Sequence, residues 1–321
     1  MTLFRKRNER ANSRLLPAVL LLLSGCASIP DSVRALDGDA AAVELHRTPF
    51  FAQERYQCGP AALTTVLTMS GVDVALQQIV DRVYLPAQKG SLQFEMLAAT
   101  RTSGRLPYLI DGTLSALRAE LAAGRPVVVL QNLGVAAIPR WHYAVVIGID
   151  PQRNAVILRS GTDRRRTTAT NTFLQTWRRG DYWAMVVLRP DEMPALIDQS
   201  RYFAAIAALE QAQQLDTAAL AWQTALARWP DNPVALFGLG NVHLAAGEFS
   251  EAEAVYRALL EKDSRQHVVR NNLALALARQ RQFAAALEQL ALALAASEDL
   301  TLTSEFTHTR AKIEHMQAGI E

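Results

Sequence analysis

The sequence predicts an α+β domain followed by an all-α solenoid of helical repeats. The first is indicated by a helix pattern at 59–69 that precedes strand patterns between 126 and 188. The second is indicated by an alanine-rich, purely helical composition after about residue 200, which recurs with a 34-residue period. A chain of 321 residues, of which 50% are hydrophobic, is long enough to bury two cores.

Composition narrows the classes of function. The chain has 33 Lys and Arg against 31 Asp and Glu, a net charge of +2, and no basic stripe with interleaved aromatic residues, so nucleic acid is not an expected partner. Its two cysteines, Cys26 and Cys58, are too few for a disulfide framework. Neither a phosphate-binding loop nor a cluster with metal-ligand spacing is visible, so we expect no cofactor and no metal.

The N-terminus has the organisation of a secretory signal. Residues 1–14 are polar and basic, and residues 15–23 form an apolar run that is shorter than the roughly 20 residues of a membrane-spanning helix. The segment ends in Leu23-Ser24-Gly25-Cys26, which resembles the lipobox of bacterial lipoproteins. This resemblance implies that residues 1–25 are removed and that Cys26 carries acyl chains. An ordinary signal peptide with a chance cysteine is the alternative.

Residues 26–48 are small, polar and aperiodic, which is typical of a tether. Ala27 and Ser28 follow Cys26, with no Asp beside it. In enterobacterial lipoproteins such a sequence directs the protein to the outer membrane. We therefore expect an exported protein that is anchored by lipid at the periplasmic face of the outer membrane of a Gram-negative organism.

The α+β domain spans residues 49–190. Its first helix has Pro60 at its start and Gly71 after its end. The turn-rich segment 150–154 indicates a hairpin between two strands, so a helix that follows a cysteine precedes an antiparallel sheet that carries a histidine. We predict helices over 59–69, 76–83, 93–102 and 114–123, and strands over 126–131, 142–149, 155–159 and 182–188. The basic run 164–166 is predicted as a solvated loop or strand edge, with docking of an acidic substrate as the alternative.

The second half repeats every 34 residues. The matching positions are Ala218 with Ala252 and Ala286, Trp222 with Tyr256 and Leu290, Leu239 with Leu273, and Phe249 with Phe283. Together with Leu239-Gly240 and Pro230, these columns resemble the tetratricopeptide repeat. The resemblance implies three repeats over 199–300, at 199–232, 233–266 and 267–300, then a capping helix and tail at 301–321. Such repeats bind a protein or peptide on their concave surface.

Cys58 has the features of a nucleophile. With Cys26 lipidated it is a free thiol in an exported protein, and it directly precedes a predicted helix. The helix dipole and its unpaired N–H groups favour thiolate, so we expect alkylation well below the ordinary thiol pKa of about 8.5. A buried cysteine that packs as an apolar residue is the alternative.

Residues 53–63, QERYQCGPAAL, resemble the cysteine motif of the bacteriocin-leader-processing peptidases, which have the papain-like fold. The resemblance covers about 140 residues, 49–190, and implies a cysteine peptidase with Cys58 as nucleophile. His142, in the sequence WHYAVVIG, matches the family's histidine motif and is the implied base. The other nearby histidine, His46, falls in the tether.

The resemblance also implies an oxyanion hole made by the Gln53 side chain and the Cys58 N–H. Gln53 stands five residues before Cys58, one fewer than usual in the family, and Gln57 is the alternative. The family's third residue is an Asp that orients the histidine.

This chain has Ile157-Leu158-Arg159-Ser160-Gly161-Thr162-Asp163 in the region where the family has its Asp. Ser160 is nearest the matching position, Asp163 is the next candidate for the orienting residue, and Asp150 is the weakest. A hydroxyl accepts the imidazole hydrogen bond but does not stabilise an imidazolium as a carboxylate would.

The predicted function is a membrane-anchored cysteine peptidase that cleaves a peptide bond of an unknown protein or peptide through a Cys58 thioester, with the repeats recruiting substrate or partner. The alternative is an outer-membrane lipoprotein adaptor whose repeats bind protein and whose peptidase-like domain is inactive or only binds peptide. An amidase or acyl transferase with the same nucleophile is a third possibility.

Overall fold

The structure is a computed structural model that describes residues 29–36, 41–296 and 299–319. The predicted signal segment and Cys26 lie outside these residues. Among the residues that are described, no helix has the length and apolar character needed to cross a membrane.

Seven strands of the described residues form one antiparallel sheet with the order β2-β7-β3-β4-β5-β6, and β1 pairs with β4 beyond the end of β3. The strands are β1 (Val43–Glu44), β2 (Leu106–Leu109), β3 (Val127–Asn132), β4 (Trp141–Asp150), β5 (Ala155–Ser160), β6 (Asp163–Ala169) and β7 (Ala184–Leu188). The helices among them are α1 (Asp31–Arg34), α2 (Cys58–Met69), α3 (Leu76–Val83), α4 (Gln93–Thr102), α5 (Leu114–Ala122) and α6 (Thr170–Arg178).

Both faces of the sheet are covered, which explains why its central strands are almost continuously apolar. One face packs against α2, α3 and α4 through alternate residues such as Val128, Tyr143 and Val145. The other face packs against α5 and α6 through the intervening residues, such as Val127 and Ala144. The sheet therefore lies between two helical layers, and α2 is held against the face that Tyr143 contacts.

The second half is a run of helix pairs. These helices are α7 (Gln199–Gln211), α8 (Leu215–Arg228), α9 (Pro233–Ala246), α10 (Phe249–Lys262), α11 (His267–Arg279), α12 (Phe283–Ala296) and α13 (Leu300–Gln317). The alanine column Ala218, Ala252 and Ala286 is fully buried, because these small residues allow the helices to approach closely. A side-chain carbon at Gly240 would come within 2.6 Å of the Tyr256 ring, so this position requires glycine.

The first helix of this run packs directly on the sheet. The rings of Tyr108 in β2 and Tyr202 in α7 lie 6.4 Å apart. The Asp198 N–H donates to Tyr108 Oη at 3.1 Å, and Arg201 donates to the Leu109 carbonyl at 3.1 Å. Tyr202 and Ile206 belong to the same buried core as the sheet residues, so helices α7 to α9 and one face of the sheet share a hydrophobic core.

The predicted fold class is confirmed: an antiparallel sheet with the cysteine on a helix start and the histidine on a strand precedes a run of helices consistent with tetratricopeptide repeats. The predicted helices at 76–83 and 93–102 have the bounds of α3 and α4. The predicted start of the last strand at Tyr182 is wrong. Asp181 and Tyr182 both have φ of 53°, which is left-handed backbone, so β7 begins only at Ala184.

Candidate active site

Cys58 is the first residue of α2 and is half-buried at the wall of a cavity of about 700 Å³. Pro60 occupies the first turn, where its missing N–H leaves no partner unsatisfied. The helix is then packed on the sheet through Leu63, Val66 and Leu67, which are almost completely buried. The apolar spacing of α2 thus fixes the thiol at the end of a rigid helix.

His142 is the second residue of β4 and lines the same cavity as Cys58. Its imidazole is 9% exposed, and its neighbour Tyr143 packs on the face of the sheet that holds α2. The structure therefore places the two residues that the sequence predicted as nucleophile and base on the wall of one cavity. His46 lies elsewhere, with its imidazole 3.4 Å from Glu44 and largely exposed.

Ser160 is the candidate orienting residue that contacts the histidine. Its Oγ lies 2.8 Å from His142 Nε2, and both side chains are buried. Asp163 is more than half exposed, and its carboxylate lies 3.4 Å from Arg166. Asp150 is at the other end of β4 and accepts from the Arg153 N–H at 3.0 Å. Among the described residues, Ser160 is the only one of the three candidates that forms a hydrogen bond with His142.

Gln53 lies beside the turn that follows Ser160. Its N–H donates to the Gly161 carbonyl at 3.3 Å, and an added side-chain carbon at Gly161 would be 3.8 Å from Gln53 Nε2. Gln53 lines the cavity together with Cys58 and His142. Gln57, the alternative candidate, directly precedes α2. Its main-chain N–H donates to the Glu54 carbonyl.

The pKa values of both central residues favour their neutral forms. Burial, with further effects from the positive charges of Arg166 and Arg140, lowers the pKa of His142 from 6.5 to about 4. Burial raises the pKa of the Cys58 thiol, although the backbone N–H groups of Tyr143, Gly59 and Cys58 oppose this effect. The expected depression of the thiol pKa is therefore wrong, because the cost of burying a thiolate exceeds the stabilisation from the helix start.

Several cavity residues were not predicted from the sequence. Tyr56, Leu92 and Trp141 line the cavity with large side chains that are 41%, 36% and 56% exposed. Lys89 and Arg140 add positive charge to the same wall. These residues come from loops and a strand end, where no periodic pattern indicates which side chains face the site.

Acidic, histidine and cysteine side chains do not gather in groups of three or more that could hold a metal ion within the described part of the chain. The site is thus built from a thiol, an imidazole, a hydroxyl and an amide. This set can perform nucleophilic attack, proton transfer and stabilisation of an oxyanion.

Residues 46–185 match the model of the Peptidase_C39 like family. These residues have a C39-like peptidase fold. Residues 204–267 match the model of the tetratricopeptide repeat. The C39-like domain contains Cys58, His142, Gln53 and Ser160, and so includes every side chain of the site described above.

Two solved structures are similar to this chain. A C39-like peptidase from Bacillus anthracis is 16% identical with a TM-score of 0.40, and the match covers 46% of this chain and 98% of that one. The peptidase domain of Streptococcus ComA, a bifunctional ABC transporter involved in a quorum-sensing pathway, is 18% identical with a TM-score of 0.36, and covers 44% and 98%. A comparison with curated proteins found no match.

Proposed function

We propose that the protein is a cysteine peptidase that cleaves a peptide bond through a Cys58 thioester. The observation that supports this most directly is the shared cavity of Cys58 and His142, in which the imidazole is also hydrogen-bonded to Ser160. A half-buried nucleophile, a base and an orienting group together are the parts that acyl transfer requires.

The reaction begins from a neutral thiol and a neutral imidazole. The proposed mechanism uses the tautomer in which Nε2–H donates to Ser160 Oγ, and Nδ1 then carries the lone pair that takes the thiol proton. Cys58 Sγ then bonds to the scissile carbonyl carbon, and the oxyanion is stabilised by the Cys58 N–H and the Gln53 amide. His142 returns the proton to the leaving amine, which departs as the C–N bond breaks. Water hydrolyses the thioester and restores the thiol.

The cavity wall favours a peptide as the substrate. Tyr56, Leu92 and Trp141 offer apolar surface beside the nucleophile, and Lys89 and Arg140 offer positive charge. Exposed aromatic side chains beside a polar site are typical of surfaces that bind peptide side chains. We propose that the repeats of the second half recruit the same substrate, or a partner that delivers it.

We also propose that the chain is exported and anchored by lipid on Cys26 at the periplasmic face of the outer membrane. Leu23-Ser24-Gly25-Cys26 supports this proposal. Intact mass of the membrane fraction tests it, and the expected mature protein begins at Cys26 with acyl chains attached. A Cys26→Ser variant that is still processed at this position and still bound to membranes contradicts it.

The second candidate function is an adaptor whose peptidase-like domain binds peptide without cleaving it. The neutral state of the Cys58 and His142 pair favours this candidate, as does a hydroxyl where relatives have a carboxylate. An amidase or acyl transferase would use the same nucleophile with a different leaving group or acceptor.

Treatment with an acetylated tetrapeptide chloromethyl ketone distinguishes the enzyme from the adaptor. The peptide ends in Gly-Gly, because the resemblance to the bacteriocin-leader-processing peptidases implies cleavage after a double glycine. We expect a single covalent adduct on Cys58, which mass spectrometry of tryptic peptides locates. The adduct should be lost in Cys58→Ala and strongly reduced in His142→Ala. An unmodified Cys58 in the folded protein, with modification only after unfolding, favours the adaptor.

A further inference from the structure

Arg159 is a buried arginine in β5 that directly precedes the orienting residue Ser160. Its guanidinium donates to the Thr48 carbonyl at 2.8 Å and to the His46 carbonyl at 3.4 Å, which belong to residues 111 and 113 positions earlier in the chain. It also donates to the carbonyl of Arg164, on the neighbouring strand β6. One side chain thus joins the segment that precedes α2 to two strands of the sheet.

This segment leads from Thr48 to the candidate oxyanion residue Gln53. The Gln53 N–H donates to the Gly161 carbonyl at 3.3 Å, in the turn that follows β5. Gln53 and Arg159 also line one narrow cleft together with Cys58. The segment is therefore held at both ends by consecutive parts of the same strand and turn, at Thr48 by Arg159 and at Gln53 by Gly161.

The Arg159 guanidinium is held without a carboxylate. Among the described residues none lies within ion-pair distance of it, and Glu44 on the adjoining strand β1 pairs with Arg165 at 2.7 Å. Arg159 Nε is also buried without a hydrogen-bond partner in this part of the chain. A buried charge in such surroundings is costly, and an apolar side chain would fill the space at lower cost. What the arginine adds is a planar group with several donors, which fixes the carbonyls it contacts.

We propose that Arg159 is a positioning residue, which holds the segment before α2 so that the Gln53 amide is aimed at the oxyanion. This inference rests on the proposed peptidase function. The guanidinium acts through Gln53 and not on the substrate. Its effect is therefore on stabilisation of the oxyanion, whereas the reactivity of the Cys58 thiol does not depend on it.

An acetylated tetrapeptide aldehyde that ends in Gly-Gly tests the oxyanion site. Cys58 Sγ bonds to the aldehyde carbon, the C=O π bond breaks, and the thiol proton passes to the carbonyl oxygen, which then occupies the oxyanion position. We expect Gln53→Ala and Arg159→Met each to raise the inhibition constant of the aldehyde about three- to tenfold, as for the loss of one hydrogen bond. Alkylation by iodoacetamide at pH 9 forms no oxyanion, so its rate should stay unchanged.

The double variant that combines Gln53→Ala with Arg159→Met separates positioning from a general loss of packing. If Arg159 acts through Gln53, the double variant should bind the aldehyde as weakly as Gln53→Ala alone. Independent effects would multiply to about ten- to a hundredfold, and that result overturns the inference.

Arg105→Met is the matched control. The Arg105 guanidinium also joins distant segments through a carbonyl, because it donates to the Ser70 carbonyl at 3.0 Å, but it does so at the end of α2 opposite Cys58. This change should lower the melting temperature and leave the inhibition constant of the aldehyde unchanged.

Arg159→Lys keeps the positive charge with fewer donors, and it should raise the inhibition constant less than Arg159→Met does. Loss of the fold in both variants overturns the inference, because Arg159 would then be needed for folding itself. An unchanged constant in Arg159→Met or in Gln53→Ala also overturns it and leaves the proposed function standing. A wild-type protein whose Cys58 does not bind the aldehyde overturns both proposals.

Discussion

Ser160 Oγ and His142 Nε2 lie 2.8 Å apart, on the neighbouring strands β5 and β4. A hydroxyl can both donate and accept, so Ser160 can pair with Nε2 of His142 in either neutral tautomer of the imidazole. It provides no negative charge, and the nearby Arg166 and Arg140 disfavour an imidazolium. Ser160 therefore holds the imidazole in place, and its surroundings favour the neutral form of His142.

Ser160→Ala is expected to lower the rate of Cys58 modification by the peptide chloromethyl ketone about three- to tenfold, as for the loss of one hydrogen bond. Asp163→Ala is the control, because the Asp163 carboxylate is exposed and pairs with Arg166. Rates for the two variants at pH 7 check the assignment. An effect of Asp163→Ala equal to or larger than that of Ser160→Ala contradicts it.

The rate of Cys58 modification by the peptide reagent should fall at low pH. The pH at which it falls, here called the acid limb, should report the pKa of His142. A neutral imidazole is required to accept the thiol proton, so the rate should fall as pH decreases through about 4. Arg166→Gln removes a positive charge that lowers this pKa, and we expect the limb to move to higher pH, towards 6.5.

Arg153→Gln removes the same charge from an exposed side chain beside Asp150, at the far end of β4. This control should leave the limb in place. The pH dependence of peptide-reagent modification measures all three proteins. A limb that moves to lower pH in Arg166→Gln would show that the sign of this interaction is wrong.

Alkylation of Cys58 by iodoacetamide should be slow at neutral pH. Burial raises the pKa of the Cys58 thiol above its ordinary value, so the rate should climb with a midpoint at higher pH than that of a free cysteine. N-acetylcysteine, measured in parallel, gives the reference midpoint. A midpoint for Cys58 below that of the reference would instead indicate a preformed thiolate and imidazolium.

Gly240→Leu should lower the free energy of unfolding by about 1–3 kcal/mol, because the new side chain overlaps the Tyr256 ring. Ala245→Leu introduces the same side chain at an exposed position of α9 and should change the stability by less than about 0.5 kcal/mol. Urea unfolding followed by circular dichroism measures both. Equal stabilities would contradict the close approach of α9 and α10 at Gly240.

The sequence predicts a helix or a site residue correctly where the structure there depends mainly on neighbouring residues in the chain. Helix α3 has a clear apolar stripe, and the motif around Cys58 places the thiol at a helix start. The basic run 164–166 is predicted as a solvated loop or strand edge and lies in the exposed edge strand β6, but no periodic pattern indicates the bounds of this strand. Its pairing with β5 depends on hydrogen bonds that any residue type can form.

The candidate site also contains residues that the sequence could predict and residues that it could not. Cys58, His142 and Ser160 could be selected by their positions in recognisable motifs. Leu92 could not, since it reaches the cavity from a loop that has no periodic pattern. The direction of the thiol pKa shift could not be predicted from the sequence either, because the burial of Cys58 depends on how α2 packs on the sheet.

The packing of α7 on β2 links the stabilities of the two halves of the molecule. Tyr202 and Ile206 are buried in the same core as Tyr108, so opening the first repeat would expose residues of the sheet. Anything that binds the folded form of these helices and not the unfolded chain therefore shifts the folding equilibrium of the C39-like domain as well, by mass action. We therefore expect occupancy of the repeats and unfolding of the sheet to be thermodynamically coupled through this shared core.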